Sequence, residues 1–547
     1  MSDRPRPQVG WTRSAVAALA AVVAALLAGE LAAALLSVPS PVTGVAGAVI
    51  DGAPKPVKDW AIATFGTADK LALGIGIWVL LVVAGTLTVR ASARRPWLRP
   101  AVVVALAGVG ILAADSTEDG GAAPVPAVVA AAVAGIALWW LRPSPAAEAA
   151  PETEDPTGAD LTAEPTVPEP TAEPMPAPRY AGGAWPVTVD RRRFLARAAT
   201  VAAGGTVAGA AAWGLRSAAD RDLRRAANAT RLPRPRAGTA AAAPEVPAGA
   251  SVGRGVEPFI TPTDAFYRID TAFSAPRVDL DSWRLTIDGA VDTPLTLTYE
   301  QLLEREVVER VVTLTCVSNE VGGDLVGTAR WLGVPLAALL EEAGVRSGGE
   351  QVFMTSVDGW TCGFPTEIAL DGRDALVAVG MNGEPLPVDH GFPARIVVPG
   401  LYGYVSATKW VERIQLVGWD QADGYWIPRG WSKEGPIKTQ SRIDVPRRGK
   451  VIDPGPTAIA GVAWAQHRGI EAVEVRVDDG PWQAAELGDE VTIDAWRQWY
   501  LPWTATSGTH RIAVRATDRD GRTQPERRKR VDPDGAEGWH TVTIEVR

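Results

Sequence analysis

The chain has 547 residues, of which 47% are hydrophobic and 21% charged, and its formal net charge is −9. At about 150 residues per domain, this length predicts three or four units. The two cysteines exclude a disulfide-dense scaffold, a four-cysteine zinc site and an all-cysteine iron–sulfur cluster. The negative net charge argues against a general nucleic-acid-binding protein, so no nucleic-acid partner is predicted.

Four apolar runs dominate the N-terminal part of the chain. They occupy residues 14–36, 71–89, 101–114 and 121–141. Because about 20 apolar residues cross the hydrocarbon layer of a bilayer, residues 1–142 are predicted to be a transmembrane region with four spans. Glu30 is the one charged residue in the first run, and a position near the outer interface or a partner in the bundle is its expected explanation.

Arginines flank these runs on one side only. They are Arg4, Arg6, Arg13, Arg90, Arg94, Arg95, Arg99 and Arg142, and the loops 37–70 and 115–120 contain none. Because positively charged loops stay in the cytoplasm, the N-terminus and the chain after the fourth run are predicted to be cytoplasmic.

A proline-rich acidic segment, residues 143–189, is predicted to be an extended cytoplasmic linker. It precedes Asp190-Arg191-Arg192-Arg193-Phe194-Leu195 and a Gly/Ala-rich run, so residues 190–217 resemble a twin-arginine export signal that also forms a fifth span. An ordinary fifth span with basic flanks is the alternative. Both interpretations predict a multi-pass protein of the cell (cytoplasmic) membrane whose C-terminal half, after about residue 220, lies on the extracytoplasmic side.

Residues 251–440 mix short β-like runs with helical ones and predict an α+β domain. The predicted strands are 283–288, 310–315, 351–356 and 395–399, and the predicted helices are 299–306 and 334–343. The segment contains no G-x-S-x-G elbow, no Walker loop and no dinucleotide fingerprint. The motifs of α/β-hydrolases and of nucleotide-binding folds are therefore missing.

Cys316 ends an apolar β-like run and opens a polar, glycine-containing loop. A thiol at the exit of a strand projects from a rigid element, which favours a functional site. Two interpretations stay open from the residues alone. One is a disulfide with Cys362, and the other is a thiolate ligand to a soft metal whose remaining ligands come from a cofactor.

The sequence around Cys316 resembles a known family. The segments TLTCVSNEVGGDLVGTARWLGVPL, FITPTDAFYRID (259–270), MNGEPLPVDHGFPARIVVPGLYG (381–403) and SATKWVERI (406–414) are similar to those of the sulfite oxidase family of molybdopterin enzymes. The resemblance implies an α+β molybdopterin-binding (sulfite oxidase-like) domain over 251–440. It also implies a molybdenum–molybdopterin cofactor and two-electron oxygen-atom transfer on a small sulfur (or related) oxo compound.

The resemblance assigns roles to individual side chains. The cofactor-binding residues that it implies are Phe266, Tyr267, Arg268, Cys316, Asp358, His390, Arg395, Ser406 and Lys409, with Cys316 as the one protein ligand to the metal. Ser406 and Lys409 fit the family's phosphate-proximal segment, although Thr408 stands as an insertion before Lys409 and leaves that assignment open. With Cys316 bound to the metal, Cys362 is expected to be a buried free thiol.

The implied catalytic residues are Cys316, Arg268 and Trp431, of which Trp431 aligns with the family's active-site tyrosine. Arg268 is a possible contact for a substrate anion. Arg429 and Lys433 are candidates to replace cations that this chain lacks.

The chain departs from the family's pattern directly after Cys316. Sulfite-oxidising members carry asparagine and arginines there, whereas this chain has Asn319 followed by Glu320 and Val321. Part of the cationic substrate pocket is therefore missing, and sulfite, sulfoxides and other S- or N-oxides all remain open as substrates.

Residues 447–547 show the alternation of a separate all-β unit. The alternating apolar residues are Val473, Val475 and Val477, then Ile512 and Val514, then Val542, Ile544 and Val546. This pattern predicts an Ig-like sandwich. Its resemblance to the family's C-terminal dimerisation domain implies a homodimer.

Electron transfer is expected to need a separate protein. None of the predicted spans contains a histidine, so no haem is predicted, and no iron–sulfur cluster or flavin is predicted either. The expected partner is a cytochrome or a quinone-linked protein. The alternative function is a cofactor-free, membrane-anchored extracytoplasmic binding protein with an Ig-like tail, and a transporter is weaker because the spans are almost free of polar sites.

Overall fold

A computed structural model of the chain describes residues 11–36, 38–54, 57, 60, 64–65, 69–115, 122–142, 186–235, 241–253, 255–272 and 275–547. The chain divides into two compact units, Met1–Ser217 and Ala218–Arg547. Except for residues 186–189, the predicted linker 143–189 lies outside the described residues.

The described part of the first unit is built from helices. They are α1 (Trp11–Leu36), α2 (Pro41–Gly52), α3 (Asp69–Ala91), α4 (Leu98–Asp115), α5 (Val125–Trp140) and α6 (Pro186–Ala229), which continues into the second unit. Three segments are long and apolar enough to cross a membrane, namely Trp11–Leu36, Lys70–Ala91 and Arg191–Ala227. The third and fourth predicted spans correspond to α4 and α5, which are shorter apolar helices of 18 and 16 residues.

Helix α2 lies in a segment that the sequence analysis treats as a loop. Its first turn carries a common helix signal, because the Ser40 hydroxyl accepts a hydrogen bond from the backbone N–H of Thr43 at 3.2 Å. Pro41 occupies the first helical position, where its missing N–H costs nothing.

Helix α1 packs against α6 through small residues. A Cβ added at Gly205 would lie 2.7 Å from the Cα of Ala24, and a Cβ at Gly209, one turn further on, would also meet α1. These two glycines form a G-x-x-x-G motif, which lets helix backbones approach closely in a bilayer. Glu30 and Arg216 form an ion pair at 2.5 Å between the same helices, so the charge in the first apolar run has a partner.

The α+β domain follows in the second unit. Its strands are β1 (Leu285–Gly289), β2 (Leu295–Leu297), β3 (Val308–Thr315), β4 (Val326–Pro335), β5 (Gln351–Ser356), β6 (Thr361–Pro365), β7 (Leu376–Met381), β8 (Glu384–Pro385), β9 (Arg395–Val397) and β10 (Val411–Val417). Its helices are α7 (Tyr299–Leu303), α8 (Leu336–Ala343), α9 (Thr366–Leu370) and α10 (Gly403–Ser406). The four predicted strands and two predicted helices are confirmed as β1, β3, β5, β9, α7 and α8; β5 has the predicted ends, and the other elements have ends that shift by at most three residues.

Two sheets form this domain, one mixed, with β1 parallel to β10, and one antiparallel. One has the order β2-β1-β10-β5-β6, and the other has the order β3-β4-β7-β8 with β9 paired to β7. Helix α7 begins at a capping box formed by Thr298 and Gln301. Helix α8 ends at Gly344, whose φ of 68° is a left-handed value that suits glycine. The sheets bring the ends of β3, β9 and the segment after α10 to one region.

The C-terminal region is β-rich. Its strands are β11 (Gln440–Val445), β12 (Val451–Ile452), β13 (Gly455–Trp464), β14 (Ile470–Val477), β15 (Gln483–Ala484), β16 (Glu486–Leu487), β17 (Arg497–Ala505), β18 (Gly508–Asp518) and β19 (His540–Val546). They form two sheets, β11-β13-β17-β16 and β12-β19-β18-β14-β15. Strand β11 begins before residue 447, where the sequence analysis places the start of this unit.

Alternating residues of both sheets fill a common core. The predicted inward positions Val473, Val475, Ile512, Val514, Val542, Ile544 and Val546 are buried, and Trp499 is buried among them. Trp496, three residues earlier, instead packs in the core of the α+β domain.

Candidate active site

Cys316 follows the last residue of β3. Its backbone N–H donates to the Leu325 carbonyl at 3.0 Å, and its Sγ accepts from the Ser318 N–H at 3.4 Å. The thiol is free, and burial raises its pKa, with the Ser318 hydrogen bonds acting in the opposite direction. A metal would have to displace this proton, since the thiolate is the ligand.

Cys362 on β6 is also free, so the disulfide interpretation is wrong and the expectation of a buried free thiol is confirmed. Its side chain is 1% exposed and lies 3.1 Å from the Thr408 hydroxyl. Burial raises the pKa of this thiol to about 12, which keeps it protonated and unreactive. The insertion residue Thr408 therefore has a structural partner.

A group of aromatic side chains lies near Cys316. Phe266 stacks on Tyr267 with ring centroids 5.2 Å apart and contacts Trp331 and His390 edge-on, at 5.7 and 5.8 Å. Burial, and then the charge of Cys316, raise the pKa of Tyr267, while Arg395 acts in the opposite direction. Tyr267 therefore keeps its proton and lies within electrostatic reach of both Cys316 and Arg395.

The Asp-His-Gly-Phe-Pro-x-Arg stretch forms a tight turn into β9. Its Gly391 has a φ of 112°, and a Cβ there would lie 2.9 Å from the Cβ of Arg395. Burial, followed by the charges of Arg395 and Lys409, lowers the pKa of His390 to about 4. The imidazole is neutral at physiological pH, and its Nε2 lies 3.2 Å from the Thr263 carbonyl, which assigns the proton to Nε2.

Arg395, the first residue of β9, is buried beside His390. Its Nη1 donates to the His390 carbonyl at 3.3 Å, and the guanidinium lies 5.0 Å from the centroid of the Trp331 ring. Burial lowers its pKa to about 10, so it is still a cation. Within the part of the chain that the structure describes, no carboxylate lies within ion-pair distance of Arg395.

Lys409 and Arg268 share a carboxylate. The Lys409 Nζ lies 2.6 Å from Asp270 Oδ2, and the Arg268 Nε lies 3.0 Å from the same oxygen. Arg268 also reaches Asp389 at 2.9 Å. Burial lowers the pKa of Lys409 to about 8 although Asp270 acts to raise it. The sequence analysis missed Asp270 and Asp389, even though both stand in the segments that carry the family resemblance.

Other predicted residues are engaged within their own segments. The Ser406 hydroxyl is buried and donates to the Tyr402 carbonyl at 3.0 Å, one helical turn earlier. Asp358 lies in the turn between β5 and β6, where its Oδ1 accepts from the Trp360 N–H at 3.3 Å. Trp431 packs against the ring of Tyr404, 5.7 Å away.

The proposed replacements for the missing cations also have partners. The Arg429 guanidinium stacks on the Tyr425 ring at 3.6 Å, and the Lys433 Nζ pairs with Asp423 at 2.8 Å. Asn319 is buried, and its Oδ1 accepts from the Leu325 N–H at 2.9 Å, which closes the loop after Cys316.

The residues present fit a metal cofactor with an anionic group. Among the described residues, no three or more His, Cys, Asp or Glu side chains are grouped to hold a metal ion, so Cys316 would be joined by ligands from the cofactor itself. The buried guanidinium of Arg395 calls for an anion, because a buried charge without a counter-ion is costly and a phosphate matches its planar donors.

Comparison with known proteins agrees with this fit. Residues 272–426 match the family described as "Oxidoreductase molybdopterin binding domain". The fold and the site thus define a molybdopterin-dependent oxidoreductase. The chain is 31% identical over 324 residues to sulfite oxidase of Gallus gallus, covering 49% of this chain and 69% of that protein. The chain belongs to the sulfite oxidase family.

Further similar proteins differ in how much of their length the chain covers. Mitochondrial sulfite oxidase of Homo sapiens is 30% identical over 319 residues, which are 49% of this chain and 58% of that protein. Among solved structures, the sulfane dehydrogenase SoxCD from Paracoccus pantotrophus is similar with a TM-score of 0.47 and 24% identity, covering 55% of this chain and 85% of that chain.

Proposed function

We propose that this chain is a membrane-anchored molybdenum enzyme that transfers an oxygen atom to or from a small sulfur (or related) oxo compound. The observation that carries the proposal is the free thiol of Cys316 at the end of a buried strand, within electrostatic reach of Tyr267. Family membership supports this function over a cofactor-free binding protein.

In the proposed site one residue binds the metal, and the residues around it contact the rest of the cofactor. Cys316 would hold the metal, and Phe266 and Tyr267 would line the pterin. Arg395 and Lys409 would supply positive charge to the anionic phosphate of the cofactor. When bound, the cofactor supplies two-electron oxygen-atom transfer.

The protonation states of the surrounding groups suit this role. Tyr267 stays protonated because burial and Cys316 both disfavour its phenolate, so its hydroxyl can donate a hydrogen bond. The neutral His390 holds its Nε2 proton toward Thr263. We propose that these residues bind and orient the cofactor and exclude water from it. Asp358, Ser406 and Trp431 remain proposed members of the site, as cofactor contacts and, for Trp431, as a catalytic residue beside Arg268.

The substrate is proposed only as a class. Several curated relatives are sulfite oxidases, and Glu320 and Val321 replace the arginines that follow the ligand cysteine in sulfite-oxidising members. Sulfite and S- or N-oxides are therefore both candidates. Turnover of sulfite with an artificial electron acceptor, and of sulfoxides with an artificial donor, separates the two.

We propose that α1, α3 and α6 anchor the chain in the cell membrane with the catalytic half outside the cytoplasm. Their length and composition, the one-sided arginines and the twin-arginine-like segment support this topology. The shorter helices α4 and α5 complete the four proposed N-terminal spans.

The C-terminal region and the partners complete the proposal. The two C-terminal sheets with a common core support an Ig-like sandwich, and the family resemblance supports a homodimer through it. A separate electron-transfer protein, a cytochrome or a quinone-linked partner, would connect the site to the respiratory electron flow of the membrane.

Metal analysis of the purified full-length chain tests the central proposal. Wild-type protein is expected to contain molybdenum and pterin, and Cys316→Ala is expected to lower molybdenum-dependent turnover by at least about 100-fold, because it removes the metal ligand itself. Cys362→Ala is the matched control and should keep wild-type metal and turnover. A wild-type chain without molybdenum, or equal behaviour of the two variants, would contradict the proposal.

A further inference from the structure

Asp270 is a buried carboxylate that bridges two cations from distant parts of the sequence. Its side chain is 7% exposed, and its Oδ2 lies 2.6 Å from Lys409 Nζ and 3.0 Å from Arg268 Nε. Lys409 is 10% exposed. The pair of Asp270 and Lys409 is fixed in place, because either charge would otherwise be buried without compensation, whereas Arg268 is 41% exposed.

The surroundings of this bridge are rich in positive charge. Arg268 also pairs with Asp389 at 2.9 Å, and Arg224 of α6 lies 3.8 Å from the same carboxylate. The buried Arg395 acts electrostatically on Lys409 as a further cation. The Lys409 Nζ also lies 4.5 Å from the centroid of the Trp410 ring. The charged and titratable groups around Lys409 and its partners include Asp270, Asp389, Arg268, Arg224, Arg395 and the neutral His390. Among the described residues, Lys409, Arg268 and Arg224 pair with these two carboxylates, and Arg395 adds a further positive charge nearby.

Lys409 depends on Asp270 for its charge. Burial, Arg395 and Arg268 all favour the neutral amine, and Asp270 opposes them through its charge and its hydrogen bond. With Asp270 the pKa of Lys409 is about 8, so the ammonium form dominates at neutral pH. Removal of Asp270 is expected to lower this pKa further, which favours the neutral amine.

We propose that Asp270 is a positioning residue of the cofactor site: it holds Lys409 as an oriented cation, together with Arg268, and so preserves the affinity of the site for the anionic group of the cofactor. This inference rests on the proposed function. Asp270 acts through its two partners and need not touch the cofactor itself.

Cofactor retention in the full-length protein provides the first test. Molybdenum and pterin are measured after dialysis at several pH values between about 6 and 9, on either side of the pKa that Lys409 has with its partner present. Asp270→Asn is expected to weaken retention by about 10- to 100-fold, the effect typical of residues that hold a binding side chain in place. The loss should begin at a lower pH than in wild type, because Lys409 gives up its proton earlier.

Matched variants separate this role from general damage. Asp288→Asn also breaks a carboxylate–arginine pair of the same domain, with Arg413 at 2.8 Å, and should retain the cofactor like wild type. Asp270→Glu keeps the charge and should retain more cofactor than Asp270→Asn, and this variant carries the comparison if Asp270→Asn does not fold. In a Lys409→Gln background, Asp270→Asn should add little further loss, since the two residues act as one unit.

A second readout does not need the cofactor. Competitive acetylation of lysines with acetic anhydride, followed by mass spectrometry, reports the pKa of Lys409 in the protein as purified. The expected result is a lower pKa in Asp270→Asn than in wild type or Asp288→Asn. An unchanged pKa of Lys409, or equal cofactor loss in Asp270→Asn and Asp288→Asn, overturns the proposal. Absence of molybdenum from wild type overturns the proposed function instead, and the acetylation result still decides the role of Asp270.

Discussion

His390 and His540 are held as neutral imidazoles by the same cause. Burial is the main reason that the pKa of each lies at about 4, below the usual value, and neighbouring arginines lower it further. The Nδ1 of His540 accepts a hydrogen bond from the Ile443 N–H at 2.9 Å, a contact that protonation would break. Both side chains therefore stabilise the fold only in their neutral form.

This protonation predicts acid destabilisation of the C-terminal region. An unfolded histidine takes up a proton near pH 6.5, whereas folded His540 resists until about pH 4, so its contribution is complete above pH 6.5 and is lost as the pH falls from there to 4. The slope for one such group reaches about 1.4 kcal/mol per pH unit. His540→Gln, whose amide oxygen can still accept from Ile443, is expected to flatten the decline of the thermal unfolding midpoint of the full-length protein over this window.

His510 is a suitable control for that measurement. It pairs with Asp478 at 2.8 Å, and this hydrogen bond raises the pKa of its imidazole above the usual value. His510→Gln should therefore not flatten the decline. Equal slopes for wild type and His540→Gln would show that His540 does not control the acid response.

Single residues differ in how far sequence alone could place them. Cys316, Phe266, Tyr267, His390 and Arg395 stand in motifs that are readable without a structure, and the fold brings them to one region. The partner of Lys409 could not be read in this way, because Asp270 is 139 positions away and only the pairing of distant segments brings the two side chains together. Burial of charge also has no local signature in the sequence.

The loop from Val317 to Leu325 is held by side chains of the β-rich C-terminal region. Arg442 on β11 donates to the Gly323 carbonyl at 3.1 Å, and Arg528 donates to the Val321 carbonyl at 3.4 Å. The ring of His540 at the start of β19 lies where a Cβ of Gly322 would be. This loop directly follows the proposed metal ligand, so its position depends on the β-rich region.

Gly322→Ala is expected to disturb the loop more than an equivalent change elsewhere. Gly322 has a φ of 82°, and an added methyl group would overlap the His540 ring. The expected cost is about 2 to 4 kcal/mol, of which about 1 kcal/mol comes from the left-handed backbone and the rest from the clash. Thermal unfolding and molybdenum content of the full-length protein measure the effect.

Gly359→Ala is the matched control for this change. Gly359 has a similar φ of 77°, but an added Cβ would meet no atom within 4 Å. It should show the backbone cost alone and keep its molybdenum. The same loss in both variants would mean that the contact with His540 contributes nothing.

Elements with regular patterns are predictable, and elements set by longer-range contacts are not. Strands β3 and β14 carry β-branched residues at alternating or continuous buried positions, which is why the sequence identifies them. Helix α6 runs from Pro186 to Ala229, beyond both ends of the predicted segment 190–217. It continues past residue 217 because its last turns pack on the α+β domain. The apolar pattern that predicts a span ends where that packing begins.

At the scale of the whole molecule, α6 begins in the first compact unit and ends in the second, and it forms ion pairs within each. In the first unit its Arg216 pairs with Glu30, and in the second its Asp220 pairs with Arg277 at 3.0 Å. Ala227 near its C-terminal end is 4% exposed within the core of the α+β domain. A helix so engaged should not be removed as a leader peptide.

The full-length chain is therefore expected to stay in the membrane without cleavage. After expression, the protein should remain in the membrane pellet on alkaline carbonate extraction, and mass spectrometry should find peptides from both sides of residue 217 in one chain. A mature form that begins between α6 and β1 would contradict this expectation.

A paired substitution distinguishes the two proposed routes of export. Arg191→Lys combined with Arg192→Lys keeps the flanking charge and removes the twin arginines. If the segment works as a twin-arginine signal, the catalytic half should become resistant to protease added outside the cytoplasm. Protease sensitivity like that of wild type would assign it as an ordinary span.

The contact between His540 and the loop after Cys316 also orders events during synthesis. Cys316 and His540 are 224 positions apart in the sequence. At about 5 to 20 residues per second, roughly 11 to 45 seconds therefore pass between the synthesis of Cys316 and that of His540. During that interval Cys316, the proposed metal ligand, is present while His540 is not. Cofactor insertion into a complete site is consequently expected only after translation of the last strand.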